Sequence, residues 1–329
     1  MPLLSIFNFD KVMKRFCIQA ILFVLCVVGV CAASCFLLPD AGLKRTMMGV
    51  GLDKMNRLKT VRGNRIVFVG GSNVAYGLDS VQIEHALKRP VVNMGLHAGL
   101  GTCFNLASVY PYLRRGDDVF LMIEFADFEG DACFGNMEAL AQAVDVLPRG
   151  AVALDKEQWI HLSRYVLQYG AKKIINCWKM LPLSNSSEKS WYNEQGDRIV
   201  QWNDPVQNKV PKGKYGVWSP IGRNPRVIGY LRKFVSDCAS KGVGVWLMPP
   251  NCLKDAVDEA FKKSYKDMLM ASGLPFAGEL EDYAFDVEFM YDSQFHPNNK
   301  GRELAVRQRI KDIQAALSAK AQHDRNGIK

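Results

Sequence analysis

Histidine is scarce in this chain, and paired cysteine is missing. Five histidines occur among 329 residues: His85, His97, His161, His296 and His323. None of the nine cysteines stands in a Cys-x-x-Cys pair. Structural zinc needs four closely set thiolates or imidazoles, so zinc fingers and ribbons are excluded. No other ligand cluster appears, so neither a metal nor an organic cofactor is indicated. A disulfide framework is lacking too. Cys17, Cys26, Cys31 and Cys35 share one apolar run, while Cys103, Cys133, Cys177, Cys238 and Cys252 are scattered. Such a set reads as buried free thiols. Acidic residues are outnumbered, with 33 Asp and Glu against 42 Lys and Arg, for a net charge of +9. That balance suits anionic surfaces. No RNA-binding signature accompanies it, so a nucleic-acid partner is not expected.

One long apolar run is present. Phe16 to Leu38 contains no charge, and Gln19 is its one strongly polar side chain. As a helix it would extend roughly 34 Å, enough to cross a bilayer. Lys11, Lys14 and Arg15 precede it, and a second basic set, from Lys44 to Arg65, follows. Charge alone leaves the orientation open. A basic head followed by a single apolar run nevertheless resembles an uncleaved signal anchor. The expectation is a single-pass protein of the inner (cytoplasmic) membrane, with residues 1–15 cytoplasmic, 16–38 transmembrane and the C-terminal domain extracytoplasmic. Ala32-Ala33-Ser34-Cys35 lacks a leucine-like residue three places before the cysteine, so lipidation is not expected. Residues 39–63 read as a basic linker that opens at Pro39. Its bases would lie against headgroups or in solvent.

From residue 64 a strand–helix rhythm begins. Ile66–Val69, Val91–Gly95 and Val119–Ile123 are short apolar runs rich in β-branched residues. Helical segments separate them at 80–87 and 103–113. This spacing predicts an α/β fold with a doubly wound, mostly parallel sheet. The rhythm breaks over 129–223, where helices at 137–143 and 158–179 lead into a polar, aromatic, glycine-rich tract. That insertion reads as a lid or recognition element. Trp191, Trp202 and Trp218 suit sugar rings if exposed, or pin the insertion if packed. Lys209, Lys212 and Lys214 suit an anionic ligand. The α/β pattern resumes with a helix at 225–241, a strand at 243–248, a helix at 254–271 and a short fifth strand at 274–277. The loop 291–298 then leads to a last helix over 299–319. The α/β domain is thus 64–128 with 224–320, and 321–329 is a frayed tail.

Chemistry concentrates at three places. Ser72 follows the first strand and Gly70-Gly71, at the carboxyl end of the sheet, where α/β folds gather their active groups. His97 lies in a glycine-rich turn after the second strand, between Gly95 and Gly99. Asp292 and His296 share the loop before the last helix. A serine hydroxyl becomes a nucleophile when a histidine takes its proton, and that histidine needs an acid on its other nitrogen. The backbone N–H groups of Ser72, Gly99 and Gly95 are the candidate oxyanion donors. Asn73, Glu124, His97 and the three tryptophans are weaker candidates for substrate contact.

These blocks resemble the SGNH (GDSL-like) hydrolase superfamily, in its membrane-anchored bacterial branch associated with cell-surface polysaccharides. Val69-Gly-Gly-Ser72-Asn73 resembles the first block, Val92-Asn93-Met-Gly95-Leu-His-Ala-Gly99 the second and Asp292-Ser-Gln-Phe-His296-Pro the last. The resemblance covers roughly 64–128 and 225–318. It implies a flavodoxin-like three-layer fold, a Ser72–His296–Asp292 triad, and an esterase or O-acyltransferase. The implied substrate is an acylated glycan or other cell-envelope ester, with acetyl the expected acyl group. A membrane acyltransferase or the polysaccharide machinery is the implied partner. Three departures stand out. Gly71 replaces an aspartate before the serine. Glu124-Phe125-Ala126-Asp127 has no asparagine where the third block supplies one. Asp292 and His296 are four residues apart instead of three. The missing asparagine keeps open an alternative: a binding or assembly protein with this fold and no catalysis.

Overall fold

The computed structural model describes residues 4–38, 43–147, 150–178, 188–204, 206–210, 215–222 and 224–326. Lys212, Lys214 and Pro39 lie outside them. The fold is α/β. Strands β1 (Ile66–Gly70), β2 (Val91–Gly95), β3 (Asp118–Met122) and β4 (Gly244–Leu247) form one parallel sheet in the order β2-β1-β3-β4. Every residue of β1, β2 and β3 is buried, as expected when both faces of a parallel sheet are covered. Side chains alternate between the faces. Val67, Val69, Val92, Val119 and Leu121 share a cluster with residues of α5 (Gly101–Val109), α8 (Pro225–Ser240) and α9 (Glu259–Ser272). Ile66, Phe68, Val91, Phe120 and Met122 pack with Val74 of α3 (Ser72–Gly77), Ile83 of α4 (Ser80–Leu87) and Val306 and Ile313 of α10 (Asn299–Asn326).

At the amino end of the sheet, Arg65 and Asp117 form an ion pair with both side chains fully buried. Arg65 Nε donates to Asp117 Oδ1 at 2.9 Å, and Arg114 N–H donates to Asp117 Oδ2 at 2.7 Å. These bonds tie the start of β1 to the turn before β3.

Several expectations change. The segment expected as a linker contains the helix α2 (Met47–Thr60), capped by Thr46. It packs on β2 and turns two of its bases inward, and Arg65 beyond it is buried too. Lys54 Nζ donates to the Gly95 carbonyl at 2.5 Å, Arg57 Nε donates to the Val91 carbonyl at 3.0 Å, and Arg65 meets Asp117. These three hydrogen-bond two carbonyls and one acid of the domain, while Lys44, Arg45, Lys59 and Arg62 are exposed. The fifth strand shrinks to one parallel bridge, Leu247 to Phe276. The 291–298 loop is a hairpin of β7 (Met290–Ser293) and β8 (His296–Pro297). Two further short strands, β5 (Cys252–Leu253) and β6 (Ala284–Phe285), pair in parallel. The tail is helical to Asn326, where Ala321, Gln322 and Arg325 are good helix formers. All nine cysteines are free, and Cys103, Cys133, Cys238 and Cys252 are buried, whereas Cys17 and Cys26 are exposed on α1 (Leu4–Leu37). One stretch of α1, Lys11–Leu37, is long and apolar enough to cross a membrane.

Candidate active site

Ser72 opens α3 directly beyond the end of β1. A first-turn N–H has no acceptor within its own helix, so the Ser72 N–H points away from α3. The hairpin β7–β8 supplies the other two groups. His296 Nε2 lies 2.8 Å from Ser72 Oγ, and His296 Nδ1 lies 2.7 Å from Asp292 Oδ1. The pairing register shifts between Met290 and Ser293, and this irregularity accommodates a four-residue spacing within so short a hairpin. The His296 side chain is 14 % exposed and that of Asp292 36 %. Histidine is therefore largely enclosed, while its acid keeps contact with water. This order of atoms can move a proton from the serine hydroxyl to the imidazole.

Tyr76, one helical turn after Ser72, stacks flat on the His296 ring, with 3.8 Å between centres and 10° between planes. Arg198 lies 4.5 Å from the Tyr76 ring centre and 5.1 Å from that of Trp191. Its own N–H donates to the Ala75 carbonyl at 2.8 Å. Neighbouring Asp197 is fully buried, accepting from Ser80 Oγ at 2.6 Å, Asn93 Nδ2 at 2.7 Å and Asn193 Nδ2 at 3.0 Å. Burial raises its carboxyl above the usual range, and these donors oppose the rise. Burial also pulls Lys54 down to about 7, against the pull of Asp197. The insertion is thus latched to α3, α4 and β2 behind the triad. The i, i+4 relation of Tyr76 to Ser72 was available in the sequence. Nothing local announced Arg198 or Asp197.

The oxyanion candidates differ from one another. The Gly95 N–H is taken by Asn93 Oδ1 at 2.8 Å, and a Cβ at Gly95 would stand 2.8 Å from the Val74 Cβ. Its glycine serves close packing of α3 on β2. The Gly99 N–H donates to His97 Nδ1 at 3.0 Å on an exposed turn. The Asn73 side chain is buried and donates to the Met122 carbonyl at 3.0 Å. Glu124 comes up beside Gly71. A Cβ at Gly71 would stand 2.9 Å from Glu124 Oε1 and 3.3 Å from Ala98 Cβ. Glu124 Oε1 is closed off from solvent and has no hydrogen-bond partner. Burial pushes its carboxyl up to about 7, with Asp127 adding to the rise and the Asn73 N–H opposing it. Gly71 and Glu124 therefore share one tight place. An aspartate at 71 would crowd the carboxyl that Glu124 brings to the same place.

Trp191, Trp202 and Trp218 are half-buried and engaged with protein, as in the pinning alternative. Trp218 Nε1 donates to Gln294 at 3.1 Å, in the turn of the β7–β8 hairpin. Trp202 lies under the Arg302 guanidinium, 3.9 Å from it. Lys209 pairs with Asp204 at 2.6 Å. A surface depression of about 1070 Å³ lies at the opposite end of the sheet among Arg115, Gly116, Val243 and Trp246, and holds none of the triad. Comparison of the chain with known protein families, with characterised proteins and with solved structures finds no match.

Proposed function

We propose that this protein is a membrane-anchored serine esterase or O-acyltransferase of the SGNH superfamily, acting on acyl groups of a cell-surface glycan, with acetyl the expected group. The observation that carries this reading is the continuous chain Asp292–His296–Ser72, with bonds of 2.7 and 2.8 Å. The parallel order β2-β1-β3-β4, with helices over both faces, supports a doubly wound, flavodoxin-like arrangement. The apolar helix supports anchorage; the reading itself places the domain outside the inner (cytoplasmic) membrane.

In this reading Ser72 Oγ attacks the ester carbonyl while its proton passes to His296 Nε2. Asp292 holds the imidazole tautomer and steadies its charge. The tetrahedral oxyanion takes the Ser72 N–H, and in this reading the neutral Glu124 carboxyl beside Gly71 turns out of its closed position to supply a second donor, of the same kind as a protonated acid in other oxyanion holes. The alkoxide leaves with the proton from His296. Water or a sugar hydroxyl then attacks the acyl-Ser72 ester, with His296 again accepting the proton. The direct test is a fluorophosphonate probe on the full chain in detergent. Wild type is expected to be labelled and Ser72→Ala unlabelled. An unlabelled wild type would instead support the assembly-protein reading.

The Glu124 role makes a separate prediction. The neutral acid is the donor, and it prevails below its pKa of about 7. Esterase activity should therefore fall as pH rises through 7, when the group becomes a negative charge beside the oxyanion. Glu124→Gln keeps an N–H donor at all pH values, so it should abolish that fall. A fall of equal size in the variant would remove Glu124 from the mechanism. Stability follows the same sign. Folded Glu124 titrates near 7 and the unfolded group near its ordinary 4.5, so wild type loses stability as pH rises between them. Glu124→Gln should be more stable than wild type at pH 8 by on the order of 3 kcal/mol, and nearly equal to it at pH 4.

A further inference from the structure

The helix α7 (Lys156–Trp178) packs on the C-terminal part of α1. Cys35 Sγ contacts the Val166 carbonyl at 3.4 Å. Four residues further along α7, Gly170 meets α1 four residues further back. A Cβ there would collide with the Cys31 carbonyl and stand 2.7 Å from Ser34 Oγ. The two helices therefore run antiparallel, in backbone contact where glycine permits it. Continued by another turn, this register sets Ile174 and Ile175 beside Val27 and Val28.

Both helices of this pair expose apolar side chains. From Arg15 to Cys35, α1 extends about 30 Å, the thickness of a hydrocarbon core. Ile21, Leu22, Val24 and Leu25 are each more than half exposed within that length. On α7, Ile175 is 49 % exposed, and Ile174 and Cys177 are half-buried. The nearby lysines engage the domain. Lys173 Nζ reaches the Cys35 carbonyl at 3.0 Å and Asp145 at 2.9 Å. Lys172 pairs with Glu138 at 2.9 Å. Lysines near a membrane boundary fold their amines toward the polar side in this way.

We propose that the last turn of α7, around Ile174, Ile175 and Cys177, enters the lipid beside Val24, Val27 and Val28 of α1. The domain is then held by two helices, which fix its height and tilt over the bilayer. Continuity with the membrane-spanning length of α1 identifies lipid as the occupant. This inference does not depend on the catalytic reading.

The test uses the unmodified full chain in phosphatidylcholine–phosphatidylglycerol vesicles. A lipid-soluble diazirine is photolysed in the bilayer, and its carbene adducts are mapped by mass spectrometry. Val24 should be labelled and exposed Met270 should not. Ile174, Ile175 and Cys177 should be labelled in a yield comparable to that of Val24. Label on α1 with none at 174–177 would overturn the proposal, since the span would then enter the bilayer without α7. Absence of label from both helices would overturn it as well.

Discussion

Replacing Ser72 or His296 by alanine is expected to lower kcat/KM for p-nitrophenyl acetate by about 10⁴-fold or more. The two groups act on one proton, so removing either stops the transfer. For the same reason the double variant should be no worse than the worse single one. Asp292→Asn tests the third member. It keeps the shape but reverses the polarity at His296 Nδ1, where the carboxylate accepts across 2.7 Å. The imidazole would be held in the wrong tautomer, with a loss on the order of 10⁴-fold. The assay uses full chain in detergent, with thermal melts to establish that each variant is folded. Wild-type activity that survived Ser72→Ala would move the chemistry elsewhere in the molecule.

The largest effect on stability is expected far from Ser72, at Asp117. Its carboxylate accepts from Arg65 and from the Arg114 N–H, with both members of the ion pair fully buried. Asp117→Ala would leave a guanidinium in the core without its counter-charge, costing about 3–5 kcal/mol. In a protein of this size that corresponds to a fall in Tm of roughly 10 °C. The pair as a whole contributes far less than its halves, because desolvation offsets most of the attraction. Arg65→Met combined with Asp117→Leu should therefore melt well above Asp117→Ala. A single variant that melted within a degree or two of wild type would show that water reaches Arg65.

The strands β1, β2 and β3 were legible because runs such as Ile66–Val69 leave no polar face, which only a strand covered on both sides accepts. Ser72, Asp292 and His296 were legible as types at suggestive places, and the structure adds the distances between them. The helix α2 was hidden by its lysine. Lys54 points inward, and a buried lysine breaks the apolar stripe by which an amphipathic helix is recognised. The hairpin β7–β8 is too short and polar for alternation to show. The roles of Trp191 and Trp218 could not be read, because their partners, Arg198 and Gln294, are fixed by tertiary packing. Glu124 was legible in the sequence only as a weak candidate for substrate contact. Its meaning came from Gly71, fifty-three residues earlier, which leaves room for it.

The latch around Asp197 has a consequence for the solution behaviour of the chain. Strand β2 ends the sheet, and the N–H of Asn93 on its open side is taken by the Gln195 carbonyl at 2.9 Å. An uncovered strand margin is a template on which a second molecule can add its own strand. The stretch that brings Arg198 to Tyr76 is therefore also the guard against self-association. Chains in which it comes loose lose the backing of the triad and gain an adhesive edge in the same event, so aggregation removes them from the active pool.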